Sequence, residues 1–202
     1  MTARRIFLLS PAHCGGKRAA ILLNERAGFP LARRLRSAGV SLGEAFSFLS
    51  GLYFRGKLTY AARFAQPPEG LEGVHVITTD RGLLPPETAI SDRELREFGT
   101  VDIHSDSATY RAPLERDLAQ LEQSRDLEVV LLGSVATGKY VDVLLEVLGE
   151  RLLFPVAFIG RGDMSRGALL LRAAEDGTEL AYAPVAGAVR HGPRPPRLVR
   201  RR

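Results

Sequence analysis

The chain has 202 residues, 45% hydrophobic and 25% charged, enough to enclose one sizeable core and too apolar to be disordered throughout. Cys14 is its only cysteine, which excludes an intramolecular disulfide and a multi-cysteine metal cage. The longest apolar runs, such as 129–132 and 152–159, are far shorter than a membrane span, and no signal-peptide-like stretch opens the chain, so a cytoplasmic protein without a membrane partner is expected.

In chain order, Arg5 to Ser10 reads as a strand ended by Pro11 and Gly15-Gly16, with a helical pattern from Lys17 to about Arg26. Leu31–Ala38, Ser41–Leu49 and Tyr53–Ala65 read as helices separated by Gly39 and Gly51. Val74–Thr79 is a β-rich run, and Ser91-Asp92-Arg93-Glu94 has the form of a capping box that opens a short helix. Val101–His104 reads as a short strand, and Ser107 caps an amphipathic stretch over 108–123. Glu128–Leu132 is a strand running into Gly133 and a helix from Lys139 to Leu148, and Leu153–Ile159 is a further strand. Segments 168–174 and 179–185 flank Asp176-Gly177 as an antiparallel hairpin would. The alternation predicts a three-layer α/β domain over residues 1–188, with a mainly parallel sheet between helices, a C-terminal antiparallel hairpin and a flexible Pro/Arg-rich tail at 189–202.

The net charge of +5 hides a segregation. Residues 1–66 carry 11 Lys or Arg against two Glu, residues 67–188 carry 11 against 21 acids, and residues 189–202 add six Arg and no acid. The basic third either attracts phosphate or faces the acidic middle inside the fold, and the basic tail favours a polyanion.

Ligands of parallel α/β sheets bind beyond the carboxyl ends of the strands, which directs attention to the loops at 10–18, 80–84, 133–140 and 160–167. Ser10 to Arg18 places two glycines and two cations at a helix start, a phosphate cradle or a plain tight turn. His13-Cys14 has part of a thiol-phosphatase pattern, but the arginine expected six residues after the cysteine is Ala20, so Cys14 reads as a small core residue. Gly133 to Lys139 nearly matches a Walker A loop, except that Tyr140 replaces the hydroxyl that binds Mg²⁺. Gly160 to Gly167 combines Arg161, Asp163 and Arg166 between glycines, and Asp80-Arg81 follows directly on a strand. No pair of the histidines has metal-ligand spacing.

Three segments occur together and in order: Leu8-Leu9-Ser10-Pro11 with the following Gly-Gly-Lys, Leu52-Tyr53-Phe54-Arg55-Gly56-Lys57 with Tyr60-Ala61, and Ile77 through Asp80-Arg81-Gly82-Leu83-Leu84. They resemble an uncharacterised bacterial family related to YaaA-like proteins and to the glycosylase-like domain of archaeosine synthase. The resemblance implies a fold similar to uracil-DNA glycosylases and work on nucleic acid or its bases.

The expectation is a DNA glycosylase-like enzyme that flips a damaged or modified base into the crevice and hydrolyses its N-glycosidic bond, in repair or antiviral defence. Asp163 and Asp80 are the candidate catalytic carboxylates. Lys17, Arg18, Arg81, Lys139, Arg161 and Arg166 are the candidate phosphate contacts, and Tyr53, Phe54 and Tyr140 the candidate stacking rings. No cofactor or metal is expected, the expected partner is DNA, modified or single-stranded, and no protein partner is indicated. The alternatives are a non-catalytic nucleic-acid-binding protein and a nucleotide-binding enzyme using the loops at Gly15 and Gly133.

Overall fold

A computed structural model describes residues 4–104, 106–122, 124, 126–136, 138–196 and 198. The first half of the chain forms β1 (Arg4–Leu9), α1 (Lys17–Leu22), α2 (Pro30–Ser37), β2 (Val40–Ser41), α3 (Leu42–Ser50), α4 (Leu52–Phe64), β3 (Val74–Ile77), β4 (Leu83–Leu84), β5 (Ala89–Ile90) and α5 (Asp92–Phe98). There follow α6 (Ala108–Glu122), β6 (Leu127–Leu132), α7 (Gly138–Leu148), β7 (Leu152–Pro155), α8 (Asp163–Asp176) and β8 (Tyr182–Pro184).

Six strands make the main sheet in the order β4-β3-β1-β6-β7-β8. β1 pairs in parallel with β3 and β6, placing Leu9 opposite both Val76 and Leu132, and β7 continues the parallel set beside β6. The two edges, β4 on β3 and β8 on β7, are antiparallel. A separate antiparallel pair joins β2 to β5.

Helices cover both faces, so the inner strands are apolar throughout rather than alternating with polar residues. The pleat still divides them: Phe7, Leu9, Val130 and Leu132 enter the core beneath α3, α4 and α8, while Ile6, Leu8, Val129 and Leu131 enter the core under α6 and α7. The helix ends follow from local chemistry. Ser41 caps α3 by accepting the Glu44 N–H, and Ser91 and Glu94 form both halves of a capping box on α5.

The C-terminal antiparallel pair is built from β7 and β8, with Leu153 opposite Pro184. Its expected first arm, 168–174, is instead the body of α8, and Asp176-Gly177 is the end of that helix, Gly177 adopting the left-handed conformation (φ 64°) of a C-terminal cap. Residues 101–104 form no strand. β7 stops at Pro155, after which 156–158 wind into a 3₁₀ turn. Residues 189–196 carry no helix or strand but run against the turn after β7, where Arg161 donates to the Pro196 carbonyl at 3.4 Å. Residues 197 and 199–202 of the expected tail lie outside the described residues. Among the described residues no helix is long and apolar enough to cross a membrane.

One packing contact sets the geometry of the site. α4 crosses α8 at Gly56 and Gly167, and the backbones approach so closely that a Cβ at Gly56 would lie 2.6 Å from the Gly167 carbonyl oxygen. A Cβ at Gly167 would lie 2.8 Å from both the Leu52 carbonyl oxygen and Tyr53 Cα. These obstacles are main-chain atoms, which cannot swing aside. Gly56→Ala and Gly167→Ala are each expected to destabilise the protein by about 1–3 kcal/mol despite the better helix propensity of alanine; denaturant melts in which either variant matches or exceeds the parent would show that the crossing tolerates a methyl.

Candidate active site

The chain leaves β1 toward β3 and returns past it to β6, so the loops after β1 and β6 diverge. Such a switch point opens a crevice at the carboxyl ends of the strands. A cleft of about 490 Å³ lies there, lined by Ser10, Tyr53, Ser134, Lys139, Tyr140 and Asp163. Three of the four expected loops supply its walls: 10–13 after β1, Ser134, Lys139 and Tyr140 after β6, and the first residue of α8.

Its floor is a buried polar cluster. Lys57, 1% exposed, reaches from α4 to the end of β1, where its Nζ donates to the Ser10 carbonyl at 2.5 Å and to the Ser10 hydroxyl at 2.9 Å. The Tyr53 and Phe54 rings lie 4.6 and 4.8 Å from the amine. Burial pulls the Lys57 ammonium from its ordinary 10.5 to about 7; the Asp163 charge opposes this shift and the Arg166 charge adds to it. Tyr140 comes in from α7, accepts the Ser134 N–H at 2.8 Å, and sets its hydroxyl beside that of Ser10. Gly133 leaves room for this meeting, since a Cβ there would lie 2.9 Å from both Ser10 Cβ and Tyr140 Oη.

Asp163 opens α8 with its side chain 69% exposed, and Oδ1 lies 3.6 Å from Arg166 Nη1. Arg166 is itself buried and donates through Nε and Nη2 to the Phe158 carbonyl, so it fixes the turn before α8 rather than gripping a phosphate. Tyr53 contributes a buried hydroxyl; desolvation drives its ionisation up, and Arg166 nearby opposes that shift.

The other expected site residues lie elsewhere. Asp80 does not line the cleft; it is half-buried near Cys14, and desolvation, opposed by Arg81 and aided by Glu97, raises its carboxyl above the usual range. Arg81 is held by Glu94 and by Glu97, the latter at 2.7 Å, which removes it as a free phosphate contact. Lys17 is exposed at the start of α1 and outside the cleft, and Arg161 bonds the Ala157 carbonyl and the Ser165 hydroxyl. Phe54 is fully buried against Phe46 and cannot stack on a base, because adjacent helical residues point about 100° apart and Tyr53 takes the cleft side. Burial pushes the Cys14 thiol up to about 12, which fits a core residue rather than a nucleophile. Among the described residues no group of three or more His, Cys, Asp or Glu is placed to hold a metal.

Arg18 lies in a second groove of about 920 Å³, lined also by Ile21, Phe48, Arg55 and Met164, which meets the cleft across Ser50 and the start of α8. Ile21 and Met164 are 53% and 66% exposed.

Ser10 and Lys57 were absent from the expected site. The signal for Lys57 is present in the sequence: its i−4, i−3, i+3 and i+4 neighbours are Tyr53, Phe54, Tyr60 and Ala61, so the amine stands in the middle of an apolar helix face. Comparison of the chain with protein families, with curated proteins and with solved structures finds no match.

The depressed value of Lys57 couples the site to stability. Between about 7 and 10.5 the unfolded chain binds the proton that the folded chain has released, so this residue adds stability as pH rises through that window. The stability of the parent relative to Lys57→Met is therefore expected to grow between pH 7 and 9 in parallel denaturant titrations; a constant difference would place the amine's folded pKa near its ordinary value.

Proposed function

We propose that the protein is a hydrolase of N-glycosidic bonds in nucleic acid, releasing a damaged or modified base. The observation that carries this reading is the position of Asp163, an exposed carboxylate where a cleft of about 490 Å³ opens into an arginine-bearing groove. That volume suits a small ligand such as an extruded nucleoside. Departure of a base leaves positive charge on the sugar, which a carboxylate at the cleft mouth stabilises while it aligns a water. The buried Tyr53 hydroxyl offers the base a hydrogen bond, and the Tyr140 ring lines the same cleft. Arg18 and Arg55 border the groove along which flanking phosphates would run, and exposed Met164 and Ile21 offer apolar surface for unstacked bases.

The reading predicts abasic sites in oligonucleotides carrying damaged or hypermodified bases, detected by alkali cleavage. Asp163→Asn should lower the rate by about 10²–10⁴-fold while DNA binding persists. Arg18→Glu and Arg55→Glu should weaken binding and each reduce the salt dependence by about one counterion. Intact strands across a broad panel, or an Asp163→Asn variant as active as the parent, would defeat it.

A further inference from the structure

We propose that Ser10 is a nucleophile, activated by Lys57, that takes up the acyl group of a carboxylic ester or amide bound in the cleft. The proposal is independent of base excision, which rests on Asp163 and an aligned water.

Ser10 lines the cleft at the carboxyl end of the central strand, and behind it Lys57 Nζ lies 2.9 Å from its hydroxyl oxygen. Nucleophile and base are thus within hydrogen-bonding reach before any substrate arrives. Activation of Ser10 requires the neutral amine. The bond seen runs from Lys57 Nζ to the Ser10 hydroxyl; with Lys57 neutral it reverses, the Ser10 O–H turning to the amine lone pair while Lys57 still donates to the Ser10 carbonyl. Among the described residues the two Ser10 oxygens are the acceptors hydrogen-bonded to Lys57, and the Tyr53 and Phe54 rings face the amine. The charged and titratable groups facing the amine are Asp163 and Arg166 on α8, Tyr53 on its own helix and Tyr140 on α7; burial outweighs the single carboxylate among them, leaving Lys57 at about 7.

In the reaction Ser10 Oγ attacks the acyl carbon as its proton passes to Lys57 Nζ. The tetrahedral adduct then breaks its bond to the leaving oxygen or nitrogen, which receives that proton. Water, losing a proton to Lys57 by the same route, cleaves the acyl-serine ester and returns Ser10 to its starting state. Pro11 has no N–H, so the donors that the loop retains for a developing oxyanion are the Ala12 and His13 amides, which have no acceptor among the described residues.

The test is reaction of the full-length protein with a fluorophosphonate probe, with the adduct mapped by peptide mass spectrometry. The expected result is a single adduct on Ser10, forming faster as pH rises through about 7 and lost in Ser10→Ala. Folded Lys57→Met should label at least tenfold more slowly without that pH step, and Tyr140→Phe should retain the step. If Lys57→Met fails to fold, the pH profile of the parent decides. No adduct on Ser10, an adduct that survives in Ser10→Ala, or a rate flat across pH 6–8 would overturn the proposal. The probe carries no base, so its outcome is distinguishable from success or failure of base excision.

Discussion

A lysine amine enclosed at the end of β1 constrains much of the surrounding structure. Lys57 has its hydrogen-bond acceptors on Ser10, so helix α4 must hold a fixed depth and rotation against the central strand. That depth is reached only because α8 can lie against α4 at Gly56 and Gly167 without intervening side chains. The same approach brings Asp163 and Arg166 into electrostatic range of the amine. Desolvation of a cation is costly, and the protein meets it by letting the proton go near neutrality rather than by supplying a close counter-ion.

Elements with a strong local cause were legible in the sequence. The apolar run of β1, the EVVLL strand and the Ser91–Glu94 capping box all emerge as read, because each depends on pattern or on neighbours within one turn. The parallel sheet followed from the alternation of elements. The stretch 168–185 misled because Asp176-Gly177 suits a hairpin turn and a helix C-terminus equally well, and the choice was made by the packing of α8 on α4. Asp163, Lys139, Tyr53 and Tyr140 line one cleft, each being close to the end of a strand or start of a helix that faces the switch point. Lys57 was not anticipated because attention to loops passes over a residue in the middle of a helix.

The charge segregation has two fates in the fold. Arg5 pairs with Glu128 and Glu179, and Arg34 with Glu44, so part of the basic N-terminal third is neutralised internally. Arg18 and Arg55 instead border the groove beside the cleft.

The central place of β1 also governs how the chain acquires its structure. Arg5 bonds Glu128, 123 positions away, and Glu179, 174 positions away. β1 is synthesised well before β6, so its Ile6–Leu9 segment stays an open apolar edge until β6 emerges. Loop closure over such separations is slow, so this topology favours unhurried folding with a period of vulnerability to aggregation or to capture by chaperones.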